Sequence, residues 1–158
     1  MQKKIIYHGE IHNLLYKYYG FDNFRPGQED IIKTIIAKKD TLAILPTGGG
    51  KSLCYQIPGL YFPNLTIVIS PLIALMKDQV DSLNKRNISA AYLSSTLENR
   101  EIEQIINNLK NNKYKFLYIA PERLETKNFI HVIKNIKVDL VAIDECHCIS
   151  MWGHDFRP

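Results

Sequence analysis

Several protein classes require something that this 158-residue chain has little of. It holds three cysteines, Cys54, Cys146 and Cys148. So small and odd a number builds no disulfide framework, and a reducing compartment is the natural setting. No run approaches the roughly 20 consecutive apolar residues of a membrane-spanning helix. The opening MQKKIIYHGE has the lysines of a secretory leader but only Ile5 and Ile6 as an apolar core, so no leader is expected. Repeats, low-complexity tracts and linkers are missing too. Acidic excess is also missing: the net charge is +4, compatible with a polyanionic partner but weak evidence for one. A soluble, cytoplasmic protein without a membrane partner is the expectation, and the 46% hydrophobic content suits one domain with a real core.

What is present has a regular grammar. Ile11, Leu14, Leu15, Tyr18 and Tyr19 fall on one helical face, with Gly20 as a closing cap. After FDNFRPGQ, Ile31, Ile32, Ile35 and Ile36 form a second stripe, with Pro26 allowed in its first turn. TLAIL (41–45) is short, apolar and followed by Pro and Gly, which predicts a buried strand. LTIVIS, AAYLS, KFLYIA and VDLVAI predict four more. Between them, Ser70 and Pro71 read as the cap and first residue of a helix. Ser95 and Glu98 have capping-box spacing before another helix, and Pro121 starts a short one. Nearly continuous apolar strands alternating with helices describe an α/β domain whose mostly parallel sheet is covered on both faces. In such folds ligands gather at the carboxyl ends of the strands.

Two of those ends carry chemistry. PTGGGKS follows the first expected strand. Gly48, Gly49 and Gly50 let successive backbone N–H groups surround an anion, Lys51 would reach the outer phosphates, and the Ser52 hydroxyl would hold Mg²⁺. The full phosphate-loop pattern has a glycine six residues before the lysine, where this chain has Leu45. At the last strand, Asp144 and Glu145 follow LVAI, and two charges there need compensation. In a magnesium–triphosphate site Asp144 would hold the metal and Glu145 would orient and deprotonate the attacking water. Cys146, His147 and Cys148 do not have zinc-ligand spacing. The cysteines read as small packing residues, and His147 as a group facing the γ-phosphate side.

The ordered set FRPGQ, PTGGGKSLCYQIP, SPLIALMKDQV, LSST, APERL and DECHCISMWGHDFRP resembles the motifs of RecQ-type DNA helicases of superfamily 2, from about Phe21 to Pro158. The resemblance implies a three-layer RecA-like, P-loop NTPase domain, with the helices of residues 1–40 carrying an adenine-recognition motif. Its cofactors would be ATP and Mg²⁺, with Thr47 joining the glycines in the phosphate loop. Phe21, Arg25 and Gln28 would recognise adenine: an aromatic face, a guanidinium plane and an amide with donor and acceptor edges suit that base. Ser70, Ser94, Ser95, Thr96 and Arg123 would contact the backbone of single-stranded or forked DNA. Trp152, His154, Phe156 and Arg157 resemble the aromatic-rich loop that couples DNA binding to hydrolysis, where rings stack on bases and Arg pairs with phosphate. A bacterial member would be nucleoid-associated.

The same resemblance implies that the rest of the first RecA-like domain and the whole second one, with its arginine finger, lie beyond Pro158. The parent would be a 3′-to-5′ helicase of repair and recombination. This chain alone would bind nucleotide weakly and unwind nothing. A monomer is expected, although the residues leave oligomeric state open. Two other readings are a P-loop enzyme such as a small-molecule kinase and a non-catalytic nucleic-acid-binding module. The DExH sequence argues against the first, and the presence of both Lys51 and Glu145 against the second.

Overall fold

In the computed structural model the described residues are 2–46 and 50–145. They group into two compact units, Met1–Pro63 and Asn64–Pro158.

The first unit is helical. α1 (Gln2–Tyr19) buries Ile11 and Leu15, and the Gly20 N–H closes it on the Tyr16 carbonyl at 3.0 Å. α2 (Gln28–Ile36) buries Ile32 and Ile36 from the expected stripe. Pro26 lies before this helix rather than in its first turn, because Gly27, left-handed at φ 88°, is the N-cap. α3 (Lys51–Tyr61) contributes Ile57, which packs with Ile11, Leu15, Ile32 and Ile36 in one core. The Tyr19 hydroxyl donates to Gln56 Oε1 at 2.6 Å and ties α1 to α3.

The expected strand at 41–45 is not formed. A strand needs a hydrogen-bonded neighbour, and among the described residues none pairs with this run. Leu42 and Ile44 are 76% and 84% exposed. Hydrophobicity marked the run as apolar but could not supply a partner.

The second unit is a parallel sheet with helices. β1 (Leu65–Ile69), β2 (Ala90–Leu93), β3 (Phe116–Ile119) and β4 (Val138–Ile143) run in the order β2-β3-β1-β4. Each strand is one of the predicted apolar runs. α4 (Ile73–Lys85) connects β1 to β2, and α5 (Asn99–Lys110) connects β2 to β3. A short 3₁₀ turn (Pro121–Glu125) and α6 (Lys127–Ile133) lead to β4. Ile102, Ile106 and Leu109 of α5 and Phe129 and Val132 of α6 pack on Ile67, Ile69, Leu93, Leu117 and Ile119. α4 lies against β2 and β3 and buries Met76, Val80 and Leu83, which are not part of that cluster. Truncating a fully buried residue such as Leu117 to Ala should cost about 2–5 kcal/mol.

β4 departs from the expectation of a sheet covered on both faces. It pairs only with β1 among the described residues, and its burial alternates. Val141, opposite Ile67, is 54% exposed. At the amino ends of the strands, Asn64 N–H donates to Asp139 Oδ2 at 2.6 Å, and Lys115 Nζ donates to the Asn64 carbonyl at 3.2 Å. This pin sits beside the register shift between Leu65 and Thr66, at the end of the sheet away from the candidate site.

Two predicted caps take other roles. The Ser70 N–H continues the ladder onto the Ile119 carbonyl at 3.1 Å, so α4 starts three residues later with Leu72 as its N-cap. The Ser95 hydroxyl donates to Glu122 Oε1 at 3.3 Å, and Glu98 stands as the N-cap of α5. At Ser95 another partner takes the hydroxyl that spacing assigns to the helix, whereas at Ser70 the backbone is drawn into the sheet.

Candidate functional site

The first unit joins two of the predicted segments. The Arg25 backbone N–H donates to Gln28 Oε1 at 2.8 Å, and Gln28 Nε2 donates to the Gly50 carbonyl at 2.9 Å. An N–H can only meet the oxygen of the amide and a carbonyl only its nitrogen, so these partners fix the amide in one orientation. Gln28 is 1% exposed. Gly50 is left-handed at φ 74° and ψ 44° and is the N-cap of α3. A side chain there would be strained, and its Cβ would run into Gln28 Nε2. Arg25 is also near: its Cδ lies 4.0 Å from the position of that Cβ.

Lys51 begins α3 and is exposed, while Ser52 is half-buried. No acidic residue occupies the first turn of α3, so no carboxylate of that turn offsets the positive end of the helix dipole. Phe21 is exposed. Thr47, Gly48 and Gly49 lie outside the described residues.

In the second unit the sheet bonds run one residue past the strands. Ala120 N–H donates to the Leu93 carbonyl at 3.0 Å and Asp144 N–H to the Ile69 carbonyl at 2.9 Å. Ser70, Ala120 and Asp144 therefore keep the alignment of the sheet at its carboxyl edge. Asp144 Oδ1 accepts the Glu145 N–H at 3.0 Å. Glu145 itself is left-handed at φ 55°, an uncommon conformation for this residue type and worth roughly 1 kcal/mol of strain. The chain thus turns sharply at the acid expected to activate water.

The expected DNA-contact residues divide by exposure. Ser95 and Thr96 are exposed, and Arg123 is half-buried. Ser94 is buried and shares its hydroxyl with Thr96 Oγ1 at 2.7 Å, which shapes the loop after β2. Ser70 is buried as well. Among the described residues its Oγ and Arg123 Nε have no hydrogen-bond partner, an expensive state for buried polar atoms. His147, Trp152, His154, Phe156 and Arg157 lie outside the described residues. Sequence reading missed the internal bonds of Gln28 and the left-handed Glu145. The FRPGQ glycine hinted at the first, and no residue type signals the second.

A parallel α/β sheet with polar residues at its carboxyl edge, and a Gly-Lys-Ser step opening a helix, define a nucleotide-handling class of protein. The family model for DEAD/DEAH box helicases matches residues 25–158, and the chain belongs to that family. It is 56% identical over 147 residues to the ATP-dependent DNA helicase RecQ of Bacillus subtilis (strain 168), covering 92% of this chain and 25% of that protein. It is 53% identical over 146 residues to the RecQ helicase of Pasteurella multocida (strain Pm70), covering 92% and 23%. The chain thus spans about a quarter of the length of these curated relatives. The crystal structure of a hypothetical ATP-dependent RNA helicase from Sulfolobus tokodaii matches with a TM-score of 0.69 over 93% of this chain and 44% of that one. At 22% identity this likeness establishes the fold alone. Among the described residues no helix is long and apolar enough to cross a membrane.

Proposed function

We propose that this chain is the ATP-binding part of an ATP-dependent 3′-to-5′ DNA helicase of the RecQ type, acting in repair and recombination from the cytoplasm or nucleoid. The observation that carries the reading is the Gln28–Gly50 hydrogen bond. It joins the Arg25–Gln28 turn, suited to adenine, to the residue that precedes Lys51. Phe21 and Arg25 would hold the base between a ring and a guanidinium plane. Thr47 to Gly50 and Lys51 would take the phosphates.

Oxygen donors of the hydroxyl and carboxylate kind are what Mg²⁺ selects, and it keeps most of its shell for phosphate and water. Ser52 and Asp144 fit that demand, and no cluster of three acidic, histidine or cysteine side chains is needed or found among the described residues. Mg²⁺ would supply charge neutralisation on the triphosphate. Glu145 would accept the proton of the attacking water, and His147 would respond to the γ-phosphate. Ser95, Thr96 and Arg123 would meet the DNA backbone, with Ser94 shaping their loop and Ser70 offering its hydroxyl. Trp152, His154, Phe156 and Arg157 would stack and pair with the single strand and couple it to hydrolysis.

The test is ATP turnover by the full polypeptide with and without single-stranded DNA. Stimulation that disappears in Lys51→Ala and uncouples in Trp152→Ala is expected. Turnover indifferent to DNA would instead indicate a P-loop enzyme of another kind, and DNA binding without turnover a binding module.

A further inference from the structure

Positive charge in the second unit gathers at one end of the sheet. The strands are parallel, so the segments leading into them all lie at their amino edge. Three of those segments read KRNIS (85–89), KNNKYK (110–115) and KNIK (134–137), and none contains an acid. Together they carry more positive charge than the net +4 of the whole chain, so the remainder is net acidic. Lys85, Arg86, Lys110, Lys113, Lys134 and Lys137 are all exposed. The nearby acid Asp139 is engaged by the backbone and side-chain N–H groups of Asn64.

Helix ends account for part of this charge. Lys85, Lys110 and Lys134 close α4, α5 and α6, where a cation complements the helix dipole. That reason does not extend to Lys113 and Lys137, which lie outside the helices. Among the described residues no ion pair engages either of them. The segments are also fixed to one another. The Ser89 hydroxyl donates to the Lys113 carbonyl at 2.5 Å, Lys115 Nζ to the Asn64 carbonyl at 3.2 Å, and the Leu65 N–H to the Lys137 carbonyl at 3.3 Å. With strands about 4.8 Å apart, the order β2-β3-β1-β4 sets the cations along a ledge of about 14 Å.

Resting on the DNA-motor reading above, we propose that this ledge is a second nucleic-acid contact. It takes the phosphate backbone of duplex DNA, at the edge of the sheet opposite the candidate site. Lysines hold phosphate without reading bases. Single strands are gripped by aromatic stacking, and no large apolar or aromatic side chain is exposed in these segments. Tyr114 is half-buried, and its hydroxyl accepts the Asn108 side-chain N–H at 2.9 Å. The same lack of exposed apolar surface argues against a protein partner, because such interfaces centre on apolar residues and are depleted of lysine. A ledge of about 14 Å suits a duplex, whose major groove is about 12 Å wide, so it can meet phosphates of both strands.

Binding of the full polypeptide to a blunt duplex and to single-stranded oligo-dT is measured over a range of salt. Wild type is compared with Lys113→Gln/Lys137→Gln and with Lys113→Arg/Lys137→Arg. Both positions are exposed, so the fold should hold, which thermal midpoints check. The glutamine pair should weaken duplex binding about tenfold and lower the slope of log K against log salt by about 2. Its oligo-dT binding and DNA-stimulated ATP turnover should stay within about twofold of wild type, and the arginine pair should keep duplex binding. A glutamine pair that binds duplex like wild type, or that loses both DNA forms equally, would overturn the ledge and leave the motor reading intact. So would a change confined to the sedimentation of the protein without DNA, which would assign the ledge to a second copy. Wild-type protein that binds no DNA would overturn the motor reading itself.

Discussion

Around Gly50 the polar side chains of the first unit are spent on neighbours, with both ends of the Gln28 amide engaged. At the carboxyl edge of the sheet in the second unit, Ser70 Oγ and Arg123 Nε are buried with no partner among the described residues. The first arrangement is preorganised: its geometry is set before any ligand arrives, so a substitution there damages fold and binding together. The second carries a desolvation cost that a ligand would relieve. Substitutions there should leave the fold alone and change only what binds.

The largest effects should come from the two charged groups assigned to catalysis, one in each unit. Lys51→Ala should remove ATP binding and turnover together. Glu145→Gln should keep binding and lower turnover by about 100-fold or more, the scale of a lost general base. Nucleotide titrations alongside steady-state turnover separate the two. Equal binding losses in both variants would erase the distinction between a gripping unit and a reacting one.

Gly50→Ala is next. It puts a Cβ on a residue at φ 74° and against Gln28 Nε2. Strain of about 1 kcal/mol and a displaced buried hydrogen bond of about 1–3 kcal/mol predict a loss near 2–4 kcal/mol. Urea denaturation measures it. A variant as stable as wild type would show that the first unit is not the interlocked one.

Alkaline pH should separate the units by sign. Burial pushes the Cys54 thiol from 9.0 up to about 11. Its folded pKa is raised, so its contribution to stability is complete below pH 9.0 and is lost as pH rises through about 11. Lys115, in the second unit, is lowered from 10.5 by burial, partly opposed by the charge of Asp139. There the unfolded chain holds the proton longer, so stability rises with pH in the window below 10.5. Denaturation midpoints across that range should lose their falling component in Cys54→Ala, about 1 kcal/mol at pH 10. In Lys115→Met they should lose their rising component.

How much of this was legible beforehand depended on whether a feature was local. The four strands of the sheet were readable because each is an apolar run bounded by a breaker, and the Lys-Ser and Asp-Glu steps announced themselves by type and position. TLAIL was misread because hydrophobicity reports a wish for burial, while a strand needs a neighbour. Ser70 and Ser95 were misread as caps because hydroxyls and N–H groups have competing partners that only the tertiary structure reveals. Gln28 was chosen for its amide edges. That both edges meet backbone groups could not be read, since the meeting of residues 28 and 50 depends on packing rather than spacing.

The smallest expected effect bears most directly on the contrast between the units. Ser94→Ala breaks the bond to Thr96 Oγ1 and should cost about 1 kcal/mol. Ser70→Ala, at an equally buried site, removes a hydroxyl with no partner among the described residues. Its stability should stay within about 0.5 kcal/mol of wild type or rise, because a buried polar atom without a hydrogen bond opposes folding. If Ser70→Ala also weakens binding of single-stranded DNA, the hydroxyl is held in reserve for the ligand. If it destabilises the fold as much as Ser94→Ala does, the hydroxyl has a structural partner, and the polar groups of the second unit are spent in the same way as those of the first.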